Sequence, residues 1–242
     1  METSGKTAED CSPELSPSGA RLYRRAVGKL LFAVPARPDL AFTVKTLARS
    51  VARPTEFDYQ RLKRCLRYVQ GTKDWVLHLV DSLRGESSDE VSAVADADWA
   101  SGVSRKSTSG GALFFAGVLV HSWSRTQASV SLSTCEAELA AMSMAAQEGR
   151  YLVNILAELG EHSTLRVYSD SSSARAVTMR RGVGRLKHLD TREIWIQDEL
   201  RAHRLEVRGV SSLENLADLF TKPFARARHV ALSEAIGMGV EE

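Results

Sequence analysis

Between Leu22 and Val69 apolar residues recur at spacings of three and four, and beyond Trp75 the period shortens toward two. The first pattern predicts helices. One begins near Leu22 and is broken at Pro35 and Pro38; a second carries Leu40, Val44, Leu47 and Val51 on one stripe. A third has Thr55 as N-cap with Asp58 three residues on, a buried stripe of Leu62, Leu66 and Val69, and an end at Gly71. The second pattern predicts strands: VLHLV, then VSAVAD, GALFFAG and VLVHSWS, the last three joined by short connections as in an antiparallel meander. Ser133 to Leu159 is the longest helical pattern. LRVYSD reads as a short strand leading into the helix SSSARAVTM, and TREIWIQDELRAH as a helix followed by the strand RLEVRGV and a last helix from about Leu213. The expected class is α/β (α+β), a small helical segment over residues 21–85 followed by a sheet domain over 86–225. The polar run DSLRGESSDE predicts the linker between them. Residues 1–20, rich in Ser, Pro, Gly and Glu, are expected to be disordered, and residues 226–242 to form a C-terminal tail.

Charge changes this picture more than composition does. Hydrophobic residues make up 43% of the 242 and charged ones 26%, enough for a buried core. The net charge of +2 conceals thirteen Lys and Arg against three acids over residues 21–73, a local balance of +10 that leaves −8 for the rest. A basic segment beside an acidic one suits a protein that grips a phosphate backbone with one part and holds divalent cations with the other. Cys11, Cys65 and Cys135 are too few and too scattered for a disulfide framework or a zinc site. With neither an apolar span nor a signal-like start, the chain is expected to be intracellular, with no membrane partner and no small-molecule cofactor.

The candidate chemistry is carboxylate chemistry. VSAVADADW ends a predicted strand with Asp96 and Asp98, and three later segments each bring an acid to an element boundary: Glu138, Asp170 and Asp218. Ser133 and Glu136 have capping-box spacing, which makes Glu136 structural. Glu138 lies about 200° further round the helix, followed on its own side by Ala141 and Ala145, so it can approach a sheet without a clash. Asp170 stands where a strand meets a helix, a place for a ligand or for an N-cap. Asp218, in LENLADLFTKPF, could be a ligand or simply exposed. Four close carboxylates repel one another and make sense when cations occupy the cluster. Two Mg²⁺ ions, or Mn²⁺, suit oxygen-only ligands; a pair roughly 4 Å apart favours in-line phosphodiester displacement.

From Tyr23 to Phe224 the sequence resembles the C-terminal part of copia-type retrotransposon polyproteins, the end of the reverse transcriptase and its ribonuclease H domain. The resemblance rests on YRRAVGKLLFAVPARPDLAF, KRCLRYVQGTKDWVL, ADADWASGVSRKSTSGG, HSWSRTQASVSLSTCEAELAA, VYSDSSSARAV, KHLDTREIW and ENLADLFTKP, in the family's order and at its spacings. It implies a ribonuclease H-like fold, a five-stranded mixed sheet flanked by helices with three antiparallel strands first. It also implies that residues 21–85 are a thumb- or connection-like segment. Carried over residue by residue, the implied metal ligands and catalytic groups are Asp96, Glu138, Asp170 and Asp218, with Asp98 able to assist or to cap its loop. The sequence departs from many ribonucleases H in two places. RGVSSLEN has no histidine before the last aspartate, and Trp195 stands where relatives often have histidine.

The expected activity is hydrolysis of the RNA strand of RNA/DNA hybrids during reverse transcription. The expected substrate contacts are Arg61, Arg64, Arg67, Arg105, Lys106, Arg125, Lys187 and His188, reading backbone and hybrid shape. The remaining reverse transcriptase or polyprotein is the expected protein partner, since this chain lacks the polymerase's own paired aspartates and is not expected to polymerise DNA. The rival reading is a nucleic-acid-binding remnant that no longer cuts. A D-x-D glycosyltransferase is a third class, and the antiparallel meander speaks against it.

Overall fold

The computed structural model describes residues 12–79, 89–100, 105–182 and 191–240. It divides into two compact units, one formed by residues up to Leu77 together with Met238–Glu242, the other by His78–Gly237.

Among its described residues the first unit is built on three α-helices. α1 (Pro17–Ala33) starts where the Ser16 hydroxyl accepts from the Gly19 N–H at 3.2 Å, with proline in the first turn, where no intrahelical donor is needed. α2 (Ala41–Ala48) follows a single 3-10 turn at Pro38–Leu40. α3 (Glu56–Gly71) opens with the full capping box: Thr55 accepts from the Asp58 N–H, and the Asp58 carboxylate accepts from the Thr55 N–H at 3.0 Å. Tyr23, Val27, Leu30, Leu40, Val44, Leu47, Leu62 and Cys65 form the core, and the Tyr23 hydroxyl donates to the Leu47 carbonyl at 2.8 Å. The α3 stripe therefore differs from its prediction. Cys65 is buried beside Leu62, while Leu66 is 42% exposed.

The described residues of both expected tails carry regular structure. Leu15 N–H donates to the Pro54 carbonyl and the Phe57 N–H to the Ser12 hydroxyl, each at 2.9 Å, and the Leu15 side chain packs against the core, so hydrogen bonds and apolar contact together hold residues 12–16 against the start of α3. At the other end Arg226–Ala235 is a helix with Leu232 and Ser233 buried. Met238–Val240 then pairs antiparallel with β1 (Trp75–Leu77).

The second unit is a mixed sheet with helices. β2 (Glu90–Asp98), β3 (Thr108–Phe115) and β4 (Val118–Thr126) are antiparallel neighbours; α4 (Thr134–Glu158) leads to β5 (Thr164–Ser169), which lies parallel to β2 on its other side. α5 (Ser172–Met179) and α6 (Thr191–Arg201) precede β6 (Glu206–Gly209), parallel to β5. The order β4-β3-β2-β5-β6 is the five-stranded ribonuclease H-like sheet, antiparallel first and parallel after the α4 crossover.

Small side chains on both surfaces bring α4 down onto β2. Ala93, Ala95 and Ala97 share one core with Ala137, Ala141 and Ala145, and Leu139 and Met142 of α4 are fully buried. On the other face of β2, Glu90 begins the strand rather than ending a linker. It is 4% exposed, ion-paired with Arg166 and accepting from Ser92 at 2.8 Å and Tyr168 at 3.2 Å. A buried carboxylate is tolerated there because every contact is a donor.

Candidate functional site

Strand register does most of the work of assembling the acids. β2 and β5 run parallel, and Val94 lies opposite Tyr168. Asp96 and Asp170 each stand two residues further on, at the carboxyl ends of adjacent strands. α4 lies against β2, and its second turn brings Glu138 to the same place. One carboxylate oxygen from each of Asp96, Glu138 and Asp170 lies within 4.8 Å of the other two.

Asp218 comes in on a different kind of element. Leu216–Phe220 is a 3-10 turn, not the α-helix expected from Leu213, and Leu213 itself is 80% exposed. Asn215 secures the turn: its Oδ1 accepts from the Ala217 N–H at 3.1 Å, and its Nδ2 donates to the Ala95 carbonyl at 3.2 Å and to Asp170 Oδ1 at 3.4 Å. The chain can cross β3 at this point because Gly110, directly opposite Asp96 in the ladder, has no side chain. A Cβ there would sit 2.5 Å from Thr221 Cγ2 and 2.8 Å from Phe220 Cβ. Asp218, 8% exposed, is thereby buried rather than exposed.

Lys222 links this turn to the strand. Its Nζ lies 2.7 Å from Asp218 Oδ1 and 3.2 Å from Asp96 Oδ2, and the Thr221 hydroxyl also donates to Asp96 Oδ2. Asp170 receives the Ser212 hydroxyl at 2.7 Å. Glu138 is the least compensated of the four. Its Oε2 is buried without a hydrogen-bond partner among the described residues.

The electrostatics follow from that geometry. Burial, then the Asp96 and Asp170 carboxylates, push Glu138 up from its ordinary 4.5 to about 8, with Lys222 and the Ala97 N–H only partly offsetting them. Asp96 is also raised, by burial first, against the pull of Lys222 and Thr221. Burial works against the charge on Lys222, yet the two carboxylates it bridges hold its pKa above the ordinary lysine range. An all-oxygen cluster with a buried carboxylate oxygen unpartnered has the donor set and the unmet charge that a hard divalent cation satisfies. Asp98, half-buried at the end of β2, is not among the three grouped carboxylates. Glu136 is a cap, but its Oε2 accepts from the Leu132 N–H at 2.8 Å, one residue before the predicted partner Ser133.

The predicted nucleic-acid contacts are dispersed. Arg61, Arg64 and Arg67 lie on α3 in the first unit, Arg61 over the Phe57 ring at 5.5 Å and the other two exposed. Arg105 is exposed and Lys106 half-buried just before β3, on the carboxylate-bearing unit. Arg125 is committed to Glu148 at 2.5 Å, where both line an open groove of about 840 Å³ between the residue 127–132 loop and α4. Lys187 and His188 fall outside the described residues. The sequence reading passed over Lys222, Thr221 and Asn215, although Lys222 stands at i+4 from Asp218, the spacing of a local ion pair.

No protein-family model matches the chain. It is 34% identical over 220 residues, 89% of its length, to the "Retrovirus-related Pol polyprotein from transposon TNT 1-94" of Nicotiana tabacum. It is 31% identical over 238 residues, 94% of its length, to the "Retrovirus-related Pol polyprotein from transposon RE2" of Arabidopsis thaliana, and it spans 16% of each polyprotein. Among solved structures it is similar to the N-terminal RNase H domain of rv2228c from Mycobacterium tuberculosis. That likeness has 14% identity and a TM-score of 0.38, over 61% of this chain and 99% of that one. Over about nine tenths of its length, the chain belongs to the copia-type retrovirus-related Pol polyproteins of plant transposons.

Proposed function

We propose that the chain is the ribonuclease H portion of such a polyprotein and hydrolyses the RNA strand of RNA/DNA hybrids with divalent metal, Mg²⁺ or Mn²⁺. The observation that carries this is the convergence of Asp96, Glu138 and Asp170 from three separate elements to within 4.8 Å, with Glu138 Oε2 buried and unpartnered among the described residues. Four acids would hold the metal: Asp96 from its strand end, Glu138 across from it on α4, Asp170 oriented by Ser212 and Asn215, and Asp218 from the 3-10 turn. When bound, two such cations favour in-line displacement by neutralising charge on the attacking and leaving oxygens.

The protein's own share is positioning. Parallel register and the Gly110 crossing fix the carboxylates before substrate arrives, so little reorganisation is needed at the scissile phosphate. Arg105 and Lys106 would meet the backbone beside the site. The basic helices of residues 21–85, a connection-like segment, would add affinity that is independent of base sequence.

The test is cleavage of a labelled RNA/DNA hybrid with Mg²⁺, alongside single-stranded RNA and duplex DNA, by the wild type and by Asp170→Asn. Hybrid-only cutting that the variant loses by at least about a hundredfold is expected. A folded wild type that binds hybrid without cutting it would instead mark a nucleic-acid-binding remnant.

A further inference from the structure

The cluster is not evenly supplied with positive charge. On the α4 side Glu138 Oε2 is buried with no donor among the described residues, whereas on the 3-10 side Asp218 Oδ1 and both oxygens of Asp96 are within 3.3 Å of the Lys222 ammonium. An ammonium bridging two carboxylates from different elements, at 2.7 and 3.2 Å, stands where a divalent ion shared by the same two carboxylates would stand. The three carboxylates close enough to share one ion leave Asp218 out. Its committed partner is Lys222.

We infer that Lys222 is a built-in cation that fills the Asp96–Asp218 position in the metal-free protein, leaving one open metal position at Asp96, Glu138 and Asp170. The inference rests on the metal-binding reading above and concerns a positioning residue, since Lys222 acts through the carboxylates. Its consequence is unequal binding. The first ion enters beside Glu138 with no resident cation among the described residues to displace, and a second must displace Lys222. Displacement is feasible because the lysine side chain is 39% exposed on a flexible stem and can turn its charge to solvent. Thr221, the next residue back, stays on Asp96 Oδ2 and keeps the turn seated while the lysine moves. Without metal, Lys222 also relieves the repulsion between Asp96 and Asp218.

The test is a Mn²⁺ titration of the whole chain, with free ion followed by electron paramagnetic resonance, on wild type, Lys222→Met and Asp170→Asn. Thermal melts with chelator and with Mn²⁺ accompany it. The wild type should bind one ion and a second at least about tenfold more weakly; Lys222→Met should gain at least about tenfold at the second. Lys222→Met should also melt below wild type in chelator and rise more than wild type when Mn²⁺ is added. Should the methionine variant not fold, Lys222→Gln gives the same readings. Unchanged stoichiometry and affinity in the lysine variant, with binding lost in Asp170→Asn, would overturn the role of Lys222 alone. Wild-type binding that survives Asp170→Asn would overturn the metal reading, and this inference with it.

Discussion

Glu138 is held in an environment that opposes its charge, and that has a direct pH consequence. Its folded pKa of about 8 lies above the ordinary 4.5, so the native protein keeps a proton that the unfolded chain releases. The stability this confers is complete below about pH 4.5 and disappears as pH rises through 8; the raised Asp96 acts in the same direction. Metal-free wild type should therefore lose melting temperature over that window, and Glu138→Gln should flatten the curve and melt higher than wild type at about pH 8 in chelator. Parallel curves for the two proteins would contradict the account. The capping role of Glu136 was legible from sequence because capping geometry is local: the Ser133 hydroxyl accepts from the Glu136 N–H, and the Glu136 carboxylate turns back to the Leu132 N–H. Lys222 was not legible in the same way. Its second partner, Asp96, is 126 residues away in sequence, and only the folded turn brings the two together.

Among elements, the long helix α4 and the strand β2 were readable because each has a clean period and small residues on the contacting face. The 3-10 turn was not. Its residues LADLF have the composition of an amphipathic helix, but Asn215 caps it, and tight packing over β3 shortens it to one stretch of five residues. This packing makes Gly110 sensitive to a single added carbon. In Gly110→Ala the new Cβ would meet both Thr221 and Phe220, at 2.5 and 2.8 Å. A loss of about 1–3 kcal/mol in denaturant unfolding is expected, together with a smaller stabilisation by Mg²⁺, because the turn carrying Asp218 must move away from Asp96. Full wild-type stability and metal response in that variant would show that the turn is not held by this crossing. Glu90 illustrates a different failure of pattern reading. A charged residue at the end of a polar run looks solvent-facing, and only the cross-strand donors Arg166 and Tyr168, with Ser92 two residues on along its own strand, make its burial possible.

At the scale of the whole molecule, charge and fold divide the labour. The excess of +10 over residues 21–73 lies in the first unit, and all four candidate metal ligands lie in the second. The strand that closes the first unit, Met238–Val240, was invisible to the sequence reading because three residues carry no usable period. The charge asymmetry predicts that the double change Arg64→Glu, Arg67→Glu weakens hybrid binding and lowers the salt dependence of log K by about two. Cutting at saturating substrate should be unaffected. Unaltered affinity would place the phosphate grip elsewhere, with Arg105 and Lys106 the next positions to change. No described helix is long and apolar enough to cross a membrane. The most direct measurement of the central claim uses one hybrid with its RNA and DNA strands carrying different labels, incubated with the full chain with and without Mg²⁺. The account predicts shortening of the RNA strand alone, only with metal, and lost in Glu138→Gln. Cutting of the DNA strand, cutting that survives chelation, or cutting undiminished in Glu138→Gln would contradict it.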